Sequence, residues 1–218
     1  MAPKIDHLVL ASADLAELTT HFTGTTGISP VAGGAHPAWG THNALVGLGE
    51  AQYLELIAPQ PGKTGPWARQ FRNFHEPTLA GWCVRVANLA QIADVAHAYG
   101  CRTRTMAGSR RTTDGMLLEW ELLFLSHPEL NPALPFFINW GDTPHPASTL
   151  ETEITLHSLE IATPGAEELT ELLTAINIKG VAVSERADTE LTAVLTGPQG
   201  TFSLEGTLPA SFSLASEE

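Results

Sequence analysis

Two short apolar stretches of this sequence each carry a residue able to do chemistry. In "KIDHLVLAS", Lys4 to Ser12, His7 sits among apolar neighbours, and in "YLELIAP", Tyr53 to Pro59, Glu55 stands between Leu54 and Leu56. His7 is open to three readings: a core residue, the polar wall of a cavity, or a metal ligand. Glu55 is more restricted. A carboxylate buried without a partner is costly, so it must face either water or a polar cavity. If both face one cavity they form an acid/base pair, because a general base needs only reach to its proton and a pKa near the working pH.

Three further stretches supply candidate ligand contacts. In "GGAHPAWGTHNALVGLG", Gly33, Gly34 and Gly40 allow close backbone approach, while His36, Trp39 and His42 offer a polar and aromatic wall, with His42 favoured over His36 because it directly precedes an apolar strand. The alternative is a Gly-rich turn with solvated histidines. In "GSRRTTDGMLLEWELLF", Arg110 and Arg111 precede a turn at Asp114 and Gly115 and a strand bearing Trp120. Among so few cations, paired guanidinium groups suit a carboxylate or another anion, and the alternative is a solvated hairpin tip. "LPFFINWGD" adds Asn139 and Trp140, which serve either core packing or a ligand wall. The His-Pro pairs at His36, His127 and His145 are expected in loops, their imidazoles in water.

Composition narrows the class. Eleven Lys and Arg against 24 Asp and Glu give a net charge of −13, which opposes nucleic acid and anionic membranes, since both are bound by releasing counterions to basic side chains. No apolar run approaches the roughly 18 residues needed to span a bilayer. Asp6, His7 and Asp14 interrupt what would have to be a signal-peptide core, so a cytoplasmic location is expected. Cys83 and Cys101 form no CxxC pair and are expected as reduced, packed thiols. The sequence has no GxSxG, GxGxxG, P-loop or HExxH pattern, so nothing supports a hydrolase triad, a nucleotide site or a zincin.

The elements that must position these residues repeat. "IDHLVLASADLAELTTHF", "GWCVRVANLAQIADVAHAYG" and "TLHSLEIATPGAEELTELL" begin near residues 5, 81 and 155, each a short strand followed by a turn and a helix. The helical stripes run Leu15, Leu18, Phe22; Leu89, Ile92, Val95, Ala96, Tyr99; and Leu169, Leu172, Leu173, Ile176. Asp14 and Asn88 are the expected N-caps, and Gly100 and Gly180 mark the second and third ends. Further strands follow each helix: "NALVGLG" and "AQYLELIAP", "GMLLEWELLFL" and "LPFFINWG", "ELTAVLTG" and "GTFSLEG". The unit is βαβββ, three times over. Segments rich in Pro, Gly and charge separate the copies.

Tandem βαβββ units forming a curved, cup-like half-barrel resemble the vicinal oxygen chelate superfamily, which includes glyoxalase I, extradiol dioxygenases and bleomycin-resistance proteins. "IDHLVLASADL", "GGAHPAWGTHNALVGLG", "YLELIAP" and "LPFFINWGD" look like the glyoxalase-like domain family. The resemblance implies an α+β protein. Residues 1–148 would form the glyoxalase-like domain (module one 4–59, module two 79–142) and residues 149–218 a C-terminal βαβββ-like module that covers the cup or builds a homodimer.

In that superfamily, metal ligands come from the first and last strands of two paired modules. His7 and Glu55 match the two positions of copy one. Copy two departs, offering Gly81 or Trp82 and Ile138 or Asn139 instead. Copy three restores both types with His157 and Glu205, so copies one and three together would complete a set of four. The resemblance thus implies a small-molecule ligand and a divalent ion (Zn, Ni, Mn or Fe) at His7 and Glu55, in a lyase, isomerase or dioxygenase. Its alternative is a metal-free binding protein of the bleomycin-resistance type, with Trp39, His42, Trp120 and Trp140 lining the cup.

Overall fold

The computed structural model of the chain describes residues 2–49, 51–111, 115 and 117–215, with the backbone alone of Arg111. Asp114 of the expected turn lies outside the described residues.

The element order is β1 (Lys4–Ala11), α1 (Leu15–Thr26), β2 (Val31–His36), β3 (Thr41–Gly49), β4 (Gln52–Pro59), α2 (Pro66–Phe71), β5 (Thr78–Arg85), α3 (Leu89–Ala98), β6 (Arg102–Arg111), β7 (Leu117–Ser126), β8 (Phe136–Asn139), β9 (Thr155–Thr163), α4 (Ala166–Ile176), β10 (Val181–Glu185), β11 (Thr189–Gly197) and β12 (Gly200–Leu208). Apart from α2, a linker helix, this is βαβββ three times. The helices begin where sequence places them: Asp14 accepts hydrogen bonds from the backbone N–H groups of Ala16 and Glu17, and Asn88 accepts one from Gln91. The third helix ends at Asn177, whose φ of 64° is left-handed, rather than at Gly180, because Asn tolerates that conformation well enough to serve as a C-terminal cap.

The first eight strands form one sheet, ordered β2-β3-β4-β1-β5-β8-β7-β6 and curled into a half-barrel. Its halves repeat each other. β1 pairs parallel with β4 and β5 parallel with β8, while β1 and β5 meet antiparallel at the centre. Central strands are buried on both faces, which is why "KIDHLVLA" and "TLAGWCVR" read as nearly unbroken apolar runs. Helix α1 packs behind β3 and β4, and α3 behind β6, β7 and β8.

The third unit repeats the order of elements but not their pairing. Its sheet runs β10-β9-β11-β12, so the last strand is separated from the first by β11, whereas in the first unit β4 lies beside β1. Helix α4 returns the chain to a parallel position against β9, and β10 takes the place next to it. This second sheet lies against β5 through β11 and β12. A side chain at Gly206 would overlap the backbone of Leu79, so the close approach of β12 to β5 depends on glycine there.

Cys83 and Cys101 are free and buried. No described helix is long and apolar enough to cross a membrane.

Candidate active site

The concave face of the large sheet encloses a cavity of about 40 Å³ among its lining side chains. That is room for about three waters at 10–15 Å³ each. His7, His36, Trp39, Glu55, Arg110, Trp120 and Trp140, all named from sequence, line it together.

A bulge in β1 organises the centre. Ile5 pairs with Val84 and His7 with Cys83, so two steps on β1 meet one on β5 and Asp6 is the extra residue. Strict alternation would send Asp6 to the opposite face from His7; instead its Oδ1 lies 2.8 Å from His7 Nδ1. Its Oδ2 accepts from Trp140 Nε1 at 3.1 Å and His145 Nε2 at 2.9 Å, with Arg85 Nε at 3.8 Å. Burial alone would raise the Asp6 pKa, but the hydrogen bonds from His145 and His7, and their charge, hold it well below the usual carboxylate range. The carboxylate therefore engages His7 through Nδ1 and leaves Nε2 without a hydrogen bond among the described residues.

That Nε2 lies 3.8 Å from Glu55 Oε2. The register explains the meeting: β1 and β4 run parallel with His7 opposite Tyr53 and Val9 opposite Glu55, so the imidazole and the carboxylate share a face two residues apart. The Tyr53 ring stacks on His7 at 4.6 Å, and burial, with Asp6 and Glu55 nearby, pushes its hydroxyl pKa well up. Glu55 is held from its other side. Asn43 Oδ1 accepts from Gly34 N–H at 2.8 Å, which orients Nδ2 to donate to Glu55 Oε1 at 2.6 Å. A side chain at Gly33 would overlap the Asn43 amide, so this is the close approach for which Gly33 is needed.

His36 Nε2 stands 4.0 Å from the same Glu55 oxygen, and its Nδ1 lies 3.3 Å from Thr41 Oγ1. Burial lowers its pKa although Glu55 pulls it back, so the ring is held neutral. The donor atoms of Asp6, His7 and Cys83 lie within 4.8 Å of one another. Asp6, however, already accepts three hydrogen bonds, and burial, reinforced by Asp6 and Glu55, pushes the Cys83 thiol well up.

Four residues named from sequence lie elsewhere. His42, preferred over His36, points away from the cup because β3 alternates: Asn43 and Leu45 line the cavity, and His42 faces the other way. Asn139 donates to Ala87 O behind the sheet. His157 is exposed and bonded to Thr196, and Glu205 is exposed on β12, which does not neighbour β9, so these two do not join His7 and Glu55 within the chain.

The structure also explains why copy two lacks donors. Trp82 is fully buried and donates to Ala133 O, Leu214 fills the space beside Gly81, and Phe136 and Ile138 present apolar groups to the cavity. His36 and His145 are not solvated loop residues. The first ends a strand in the cup, and the second reaches Asp6 from the segment between β8 and β9.

Sequence reasoning missed Asp6 and Asn43. Asn43 was within reach of alternation, since Leu45 pairs with Glu55 and Asn43 shares its parity. Asp6 was not, because nothing in a single strand announces a bulge.

A family model for a glyoxalase-like domain matches residues 5–176. No curated protein matches the sequence. Among solved structures, a hypothetical protein from Staphylococcus aureus is similar over 99% of this chain and 88% of its own, at TM-score 0.65 and 13% identity. A variant of 4-hydroxymandelate synthase from Streptomyces coelicolor is similar over 96% of this chain and 65% of its own, at 0.55 and 17%. A methylmalonyl-CoA epimerase in complex with methylmalonyl-CoA covers 67% of this chain and 100% of its own, at 0.50 and 19%.

Proposed function

The chain belongs to the glyoxalase-like domain family of the vicinal oxygen chelate superfamily, and from that premise we propose that its cup binds and transforms a small oxygenated molecule beside a divalent metal ion held by His7 and Glu55. The observation that carries this reading is the pair itself. An Asp6-oriented imidazole leaves Nε2 free at 3.8 Å from a carboxylate oxygen, a separation that two donors at about 2.0–2.2 Å from one ion can span. Imidazole and carboxylate are the donor types that first-row divalent ions take, and His36 beside Glu55 adds a third of the 2-His-1-carboxylate kind. When bound, such an ion supplies Lewis-acid polarisation of a ligand oxygen.

The chain's own groups do the rest. Asp6 engages His7 through Nδ1, Asn43 holds Glu55, and Glu55 is the base in reach of a ligand proton. The indoles of Trp39, Trp67, Trp120 and Trp140 give the cavity an apolar wall. We assign the reaction to the lyase, isomerase or dioxygenase type.

One observation favours a second reading, metal-free binding or sequestration: the second half of the cup contributes Phe136 and Ile138 where donors would complete a quartet. Plasma mass spectrometry on tag-free protein separates the two. Near-stoichiometric metal, lost in His7→Ala and in Glu55→Ala, is the expected result. No metal after incubation with manganese, iron, nickel and zinc salts would leave the binding-protein reading standing.

A further inference from the structure

Resting on the reading of the cup as a ligand site, we propose that its ligand is a compact carboxylate whose anionic group is held by Arg110 and the indole N–H of Trp39. Arg110 comes from β6, at the far edge of the sheet from β2, and its Nη1 donates to Gly33 O at 3.0 Å. That bond ties the two rims of the cup together and fixes the guanidinium at the cavity wall. Among the described residues it is the only hydrogen bond Arg110 makes, and no carboxylate there lies within 4.0 Å of it. A guanidinium carries five N–H groups in a fork that matches a carboxylate, so most of its donor capacity is free.

Trp39 supplies an independent observation. Its ring is 5% exposed and lines the same cavity, yet its Nε1 has no acceptor. The indoles of Trp67, Trp82 and Trp140 each have one, in Leu214 O, Ala133 O and Asp6 Oδ2. An orphaned buried donor is costly, and one on a residue that lines the same cavity as Arg110 calls for an acceptor from outside the chain.

The charge layout sets the ligand's direction. Glu55 repels a carboxylate and Arg110 attracts one, so the acid group lies at the Arg110 end and the rest of the molecule meets His7 and Glu55. A cavity of about 40 Å³ sets its size. Room for about three waters admits an acid of about two to four carbons with slight repacking.

The test uses lactate and pyruvate against lactamide and pyruvamide, neutral molecules of the same shape. Binding is measured by calorimetry and thermal shift on metal-loaded and on EDTA-treated protein. In the wild type, the acids should bind at least tenfold more tightly than the amides. Arg110→Met should abolish that preference, and Arg110→Lys should keep part of it while showing that the fold tolerates change at the position. Trp39→Phe should weaken both acids without touching metal content. Equal binding of acids and amides, a preference surviving in Arg110→Met, or no binding of either acid would overturn the proposal. Metal content separates the two readings: loss of acid preference with metal intact in Arg110→Met concerns this site alone, whereas acid preference in a protein that takes up no metal would sink only the metal assignment.

Discussion

The 2.6 Å bond from Asn43 to Glu55 is the contact that holds the candidate base in place, and it is buried. Asn43→Ala strips a charge-assisted bond from a carboxylate that stays out of water. We expect a loss of about 1.5–3 kcal/mol, read from the urea midpoint at unchanged slope. Tyr53 and Cys83 allow a pH prediction. Both pKa values are raised in the folded protein, so as pH climbs past their ordinary values of 9.0 for Cys83 and 10.0 for Tyr53 the unfolded chain loses protons that the native state keeps. The unfolded state then binds fewer protons, and stability falls with rising pH above about 9. Tyr53→Phe should flatten the decline above pH 10 in unfolding free energy measured against pH; an unaltered slope would show that the hydroxyl is not protected. At this scale the sequence singled out His7 and Glu55, which share the cavity, because a polar residue inside an apolar run stands out. It hid Asp6, whose placement depends on a bulge set jointly by two strands.

Elements succeed or fail by their ends and their exposure. Asp14 caps α1 by accepting from two backbone N–H groups at 2.7 and 3.0 Å. Asp14→Ala should therefore cost about 1 kcal/mol, checked by chemical unfolding. The helices and central strands were legible because their apolar stripes are long and their caps local. The strands that sequence reading passed over, β2, β6 and β10, all sit at the edge of their sheets. An edge strand is half solvated and needs no apolar alternation, so "VAGGAH" and "RTRTMAGSRR" read as turns or hairpin tips. His36 and Arg110, which line the cup, lie on such strands. The parity of β3 decided against His42, and parity follows from register with β4, which local sequence does not set.

For the whole molecule, the packing of the second sheet on the first is the feature most open to a single change. Gly206→Val would push β12 away from Leu79. We expect a loss of about 1–3 kcal/mol, with hydrogen exchange rising first in β9 to β12; protection unchanged there would show that the sheets tolerate separation. The C-terminal tail adds to the same seam. Trp67, Gln70 and Arg104 donate to the carbonyls of Leu214, Ser213 and Ala215, tying the tail to the wall of the cup. The sequence by itself determined the repeated βαβββ order, the helix starts and the two polar residues of the central apolar strands, because all of these are written in local periodicity and capping chemistry. Only the tertiary structure decided that the third unit pairs its strands in a different order, that His157 and Glu205 therefore stay apart from His7 and Glu55, and that Asp6, Asn43 and His36 gather around the central pair. Strand order, bulges and register are settled by which surfaces fit together across the sheet, and that fit is a property of distant segments acting at once.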